Sequence, residues 1–128
     1  MQNLTISTKK KKEIVDITDE IDSLLKGKTN VSMCFLFIKH TTAALTTADL
    51  DPGTDVDMLD AFEELIPKLH YRHPHNPAHV QDHIMSSIIG SSVAIPVLND
   101  KLDLGTWQRV VLVELDGPRD REVVITIL

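Results

Sequence analysis

The segment Val31-Ser32-Met33-Cys34-Phe35-Leu36-Phe37-Ile38 constrains the fold more than any other part of the chain. It is apolar at nearly every position, so it shows neither the alternation of a half-buried strand nor the period of a helix face. That pattern predicts a strand covered on both faces, near the centre of a sheet. A chain of 128 residues can supply the covering layers as one domain, because domains cluster around ~100–150 residues. A chain of this size buries roughly two-thirds of its unfolded surface without a disulfide or metal staple. Cys34, the single cysteine, lies inside the run and reads as a buried, reduced and inert thiol.

The flanking sequence predicts two or three helices. Thr18 is placed to cap one carrying Ile21, Leu24 and Leu25 on a single face, with Gly27 as its stop. After the turn Asp51-Pro52-Gly53, Thr54 and Asp57 give a capping-box pattern. Met58, Leu59, Phe62, Leu65 and Ile66 then share a face, and Pro67 ends the helix. A short helix is expected from about Asp82 to Gly90. The C-terminal third reads as β: residues 92–98, a turn at Asn99-Asp100, residues 102–104, 106–115 and 123–128. Asp116-Gly117-Pro118 is a hairpin signal, and Lys9-Lys10-Lys11-Lys12 reads as a solvated hairpin turn between residues 4–7 and 13–16. Strands that pair with their sequence neighbours, joined to these helices, make a mainly antiparallel α+β domain spanning residues 1–128.

The formal charge of −6 repels a phosphate polymer, so nucleic acid is not an expected partner. The start of the chain lacks the order of a signal peptide, and no apolar run approaches ~20 residues. The expected location is cytoplasmic, with no membrane contact.

Five of the six histidines, His70, His73, His75, His79 and His83, fall within fourteen residues that have no helical or strand period. Three readings fit: a hydrated loop whose rings cap backbone groups, a metal site, or metal-free acid–base chemistry. The spacing matches no zinc signature such as H-E-x-x-H. His40 ends the apolar strand, where burial disfavours an unpaired imidazolium, and Thr41 and Thr42 follow with hydroxyls suited to an anion. Asp49, Asp51, Asp55 and Asp57 add carboxylates, the last two suited to a helix start. Ser86-Ser87 and Ser91-Ser92 bracket Gly90 and offer donors to an anion. Alternation puts Gln108, Val110, Leu112, Glu114 and Asp116 on one strand face. Glu114 among aliphatic neighbours needs a cation, and Arg119 and Arg121 are its natural partners, unless they aim at a phosphate instead.

Read in order, these segments resemble the YjbQ-like family, also called the secondary thiamine-phosphate synthase family. The resemblance is carried by His40-Thr41-Thr42-Ala43-Ala44-Leu45, Asp51-Pro52, Asp57 and Tyr71-Arg72-His73. It continues through Asp82-His83-Ile84-Met85-Ser86-Ser87, Gly90-Ser91-Ser92, Leu104-Gly105-Thr106-Trp107-Gln108, and residues 114–121. It implies an α+β fold with a β-sandwich-like core, assembled as a homotrimer. It also implies that His40, His73 and His83 line a shared pocket, with Gln108, Glu114 and Arg121 nearby. Where many relatives carry Asn-Glu, this chain has Ala48-Asp49, which substitutes a shorter carboxylate.

The implied activity joins an aminopyrimidine diphosphate to a thiazole phosphate. On that reading His40, Asp49, His73, His83 and Glu114 are the catalytic candidates. Thr41, Ser86, Ser87, Thr106, Gln108, Arg119 and Arg121 are candidates for holding a phosphorylated small-molecule substrate. A divalent cation, zinc or magnesium, is expected on His40, His73 and His83. Two alternatives stand beside it: a metal-dependent hydrolase of a phosphorylated or polar small molecule, and a non-catalytic trimeric ligand-binding protein.

Overall fold

The computed structural model describes residues 1–73 and 77–128. Its elements are β1 (Gln2–Ser7), β2 (Glu13–Asp16), α1 (Thr18–Leu25), β3 (Met33–Ile38), β4 (Ala43–Ala48) and α2 (Thr54–Leu65). A 3-10 turn (Pro77–His79) leads into α3 (Val80–Ile89), followed by β5 (Ser92–Leu98), β6 (Lys101–Leu102), β7 (Arg109–Glu114) and β8 (Asp120–Ile127). The strands form a five-stranded sheet, β1-β8-β3-β5-β6, and a three-stranded sheet, β2-β7-β4. Every pairing is antiparallel.

Two apolar layers hold these parts together. Between the sheets, Cys34, Leu36, Ile38, Val123 and Ile125 pack with Leu45, Val110 and Leu112, and Ile21 and Leu25 of α1 complete the same cluster. On the other side of the three-stranded sheet, Ala44, Val111, Val113 and Leu115 pack with Ile66 and Met85, joined by Phe62 of α2 and Ile84 of α3. The α+β class and the sandwich-like core are therefore as expected.

The doubly covered strand is β7, not β3. Val110, Val111, Leu112 and Val113 are all fully buried. Val110 and Leu112 face the other sheet, while Val111 and Val113 face the helices. In β3 only Cys34, Leu36 and Ile38 point inward, whereas Met33, Phe35 and Phe37 are 38%, 36% and 42% exposed. β3 is central in its sheet, as expected, but its outer face is uncovered in the single chain. Burial pushes the Cys34 thiol up to about 11, helped by nearby Asp22, so it stays protonated.

Local signals were sound as turns but not as pairings. Between consecutive strands only β5 and β6 pair, around Asn99 and Asp100 with positive φ of 51° and 56°. The Lys9–Lys12 segment is not a hairpin: β1 pairs with β8 and β2 with β7, so the segment crosses from one sheet to the other. Asp116-Gly117-Pro118 likewise carries the chain from β7 to β8 in the opposite sheet. Residues 106–108 precede β7 rather than belonging to it.

The helix starts also differ from expectation. Thr18 lies inside α1 and is buried; its hydroxyl accepts from the Val110 N–H at 2.8 Å, while Asp16 accepts the Thr18 N–H at 3.0 Å. α2 starts from Gly53, which has φ 91°, and no side chain caps it, so the Thr54/Asp57 capping box does not form. No helix among the described residues is long and apolar enough to cross a membrane.

Candidate functional site

Two of the connections that cross between sheets, β1 to β2 and β7 to β8, run side by side at one end of the sandwich. Thr8 N–H donates to the Arg119 carbonyl at 2.9 Å, and Gly117 N–H donates to the Lys11 carbonyl at 2.8 Å. Gly117 is needed for this approach. A Cβ there would overlap the Lys10 carbonyl oxygen and stand 2.9 Å from both Glu114 Cγ and Thr8 Oγ1.

Behind this crossing lies a buried ion pair. Arg121 Nε donates to Glu114 Oε2 at 2.8 Å, and its Nη2 donates to Glu114 Oε1 and, at 2.9 Å, to Thr42 Oγ1. Glu114 also accepts from Thr8 Oγ1 at 2.7 Å and from the Asp116 N–H at 3.0 Å. Burial pushes the Glu114 carboxyl up, but these donors outweigh it and hold the group below the usual carboxylate range. Of the two readings open for the arginines, Arg121 takes the structural one. Arg119 is half exposed and spans Asp116, with Nε donating to its carbonyl at 2.8 Å.

His40 sits in the bend between β3 and β4. Its Nε2 accepts the Glu122 backbone N–H at 2.9 Å, which requires a lone pair there and places the ring proton on Nδ1. Burial, then the Arg121 charge, lowers its pKa below the ordinary imidazole value, so the ring is neutral.

A cavity of about 520 Å³ opens at this bend. Its lining includes the cations Lys39, Arg119 and Arg121, the imidazoles of His40, His79 and His83, and the carboxylates of Asp116 and Asp120. His73 stacks on His83 with ring centroids 5.1 Å apart. An adjoining cavity of about 510 Å³ shares Lys39, His40 and Thr41 and is otherwise walled by Phe37, Ser86, Ser87 and Ser91 among others. Ser86 is also a tie between layers, donating to the Ala43 carbonyl at 2.7 Å. Residues 39–41 form a ridge between a charged lobe and a more apolar, hydroxyl-lined one.

The expected constellation is thus partly assembled. His40, Thr41, His83, Ser86, Ser87, Arg119 and Arg121 line the two lobes, with His73 against His83 and Glu114 behind Arg121. Asp49, Thr106 and Gln108 are elsewhere. The β4–β7 register pairs Ala43 with Glu114 and Ala48 with Arg109, so the far end of the ladder lies roughly 17 Å away at ~3.4 Å per residue. Asp49 and Thr106 border a separate cavity there with Trp107 and Arg109. Gln108 accepts the Gly105 N–H at 2.8 Å, bracing that turn. His75 lies outside the described residues, and His70 is exposed.

Sequence reasoning did not assign Lys39, Asp116 or Thr8 to the site. Lys39 was legible as the neighbour of His40. Thr8 carried no local signal, because its role arises only when the two crossings meet.

The three histidines expected to hold a cation lie in this one region, His40 and His83 on the cavity and His73 against His83, with His40 Nε2 engaged by the Glu122 N–H. The cavity gathers three cationic side chains and two carboxylates beside a neutral imidazole.

Fold and site together define a two-sheet α+β sandwich with a cation- and histidine-lined cavity where its crossing connections meet. The family model described as "UPF0047 protein YjbQ-like" matches residues 2–128, and the chain belongs to that family. A UPF0047 protein of Archaeoglobus fulgidus is 36% identical over 126 residues, covering 98% of both chains. The UPF0047 protein YugU of Bacillus subtilis is 35% identical, covering 100% of this chain and 98% of its own. Among solved structures, an uncharacterised YjbQ/UPF0047 protein of Clostridium acetobutylicum superposes with a TM-score of 0.89 at 32% identity, covering 100% of each chain. A hypothetical protein of Aeropyrum pernix gives a TM-score of 0.89 at 32% identity, covering 99% of this chain and 96% of its own.

Proposed function

We propose that this chain is an enzyme acting on a phosphorylated small molecule held in the cavity beside His40. The reaction we favour is the one the family resemblance implies, joining an aminopyrimidine diphosphate to a thiazole phosphate. The observation that carries the reading is the meeting of Lys39 and Arg119 with three imidazoles around one open cavity. In that reaction the thiazole nitrogen forms the new C–N bond while the C–O bond to diphosphate breaks, and the electron pair leaves with diphosphate. Negative charge grows on the departing group, so fixed cations and donors aimed at it lower the barrier. Lys39 and Arg119 supply the charge, and the Nδ1–H of His40 supplies a neutral donor. No proton is abstracted in this step, so His40 acts here as a donor and not as a base.

The test incubates purified protein with both substrates and measures thiamine phosphate. Product is expected, with Arg119→Gln lowering the rate about 10²-fold, the usual loss of one charge-stabilising donor. No product above that of His40→Ala rejects the reading. We infer further that the chain assembles as a homotrimer, as the resemblance implies, and the uncovered apolar face of β3 supports this.

A further inference from the structure

Trp107 is the chain's single tryptophan, and it is 72% exposed. It stands on a braced turn just before β7. The Gln108 N–H donates to the Gly105 carbonyl at 3.1 Å, Gln108 Oε1 accepts the Gly105 N–H at 2.8 Å, and Gln108 Nε2 donates to Thr47 Oγ1 at 3.4 Å. The turn keeps its shape without help from the indole. A large aromatic side chain has roughly 150–250 Å² to bury, and one held out on a fixed turn loses little freedom on binding. Its surroundings are acidic. Arg109 is already paired with Asp16 and Asp19, while Asp49 and Asp51 stand exposed beside the same cavity.

The opposite end of the sandwich is complementary. The hydroxyl-lined lobe there has Phe37 and Ile38 on one side, Ser87 and Ser91 on another, and the exposed Lys39 at its rim. No carboxylate stands among its described lining residues. A core void of ~150 Å³ takes benzene, and this lobe, at about 510 Å³, has ample room for an indole. Phe37 also continues the uncovered apolar face that Met33 and Phe35 form on β3. A chain cannot fill its own lobe, because the two ends of the β4–β7 ladder stand roughly 17 Å apart at ~3.4 Å per residue.

We propose that a second copy of this chain inserts its Trp107 turn into that lobe. The indole of one copy covers Phe37 of the next, and Asp49 and Asp51 come to face Lys39. The giving and receiving surfaces differ, so the contact repeats head to tail, and such contacts close into rings when the rotation permits. It carries Asp49 to the rim of the cavity beside His40, so each site is completed by residues of two copies. The contact deepens the assembly inferred above and does not depend on the reaction proposed for the cavity.

The experiment uses the intact chain without substrate. Fluorescence of the parent reports Trp107 alone, and sedimentation velocity on the same samples reports association. At concentrations where the parent is associated, blue-shifted emission shielded from acrylamide is expected, turning to solvent-like emission as dilution separates the copies. Trp107→Ala is expected to raise the dissociation constant about thirtyfold or more, the usual loss of an aromatic anchor. Ser87→Glu, at an exposed position in the lobe, crowds it and sets a like charge against Asp49. That variant is expected to return the untouched Trp107 to solvent-like emission with the folded circular dichroism spectrum retained. An associated parent whose Trp107 emits as in water overturns this contact while leaving the assembly standing. Association as tight in Trp107→Ala as in the parent does the same, and a parent that stays monomeric overturns both.

Discussion

Glu114 is fully buried yet held as a carboxylate, because four donated hydrogen bonds and the Arg121 charge replace the water it lost. Removing one partner strands the other. Arg121→Met is expected to cost about 3–5 kcal/mol in urea unfolding, whereas Glu114→Leu with Arg121→Met recovers much of that loss. The Glu114 pKa is depressed in the folded state, so its stabilising contribution is complete above the ordinary value of 4.5 and is lost as pH falls through the lowered one. The double variant therefore loses less stability in acid than the parent. His40 follows the same sign: burial lowers its pKa, so protonation opposes the fold only as pH falls below the ordinary 6.5. Nitrogen shifts are expected to report an Nδ1–H ring that stays neutral at pH values where exposed histidines charge. His40→Ala leaves the Glu122 N–H without its acceptor, a loss of about 1–3 kcal/mol if no water replaces it. His40 was legible in the sequence because an imidazole at the end of an apolar run needs a partner. That partner, a backbone N–H of β8, was not legible.

At the scale of elements, composition revealed which segments form strands and turns but not which sheet each strand joins. A run apolar at nearly every position suggested two covered faces for β3; the reading fits β7, while β3 shows half its apolar side chains to the outside. The lysine run and Asp116-Gly117-Pro118 both bend the chain, yet each bend exchanges sheets. Local signals fix a change of direction; pairing between distant strands depends on contacts far apart in sequence. Because the two bends touch, the site depends on Gly117. Gly117→Ala is expected to destabilise the protein by about 1–3 kcal/mol, as overpacking does, and the rigid Lys10 carbonyl gives it little room to relax. Thermal unfolding checks this, and a variant as stable as the parent would show that the crossings separate easily.

For the whole molecule, the sandwich accounts for the site and leaves one surface unexplained by the fold of a single chain. Across the outer face of the five-stranded sheet, Met33 pairs with Pro96, Phe35 with Ala94 and Thr126, and Phe37 with Val124. Apolar surface gathered on one face marks an association surface more often than solvent-exposed decoration. If that face joins copies into the proposed trimer, Met33→Ser with Phe35→Ser should disperse the assembly. The pair is chosen because both side chains point away from the inter-sheet layer and neither lines the lobes beside His40, whereas Phe37 does. Sedimentation velocity at micromolar concentration is expected to show a trimer for the parent chain and a monomer for the variant, with the folded spectrum retained. A parent chain that sediments as a monomer, or a variant that remains trimeric, removes this face from the assembly.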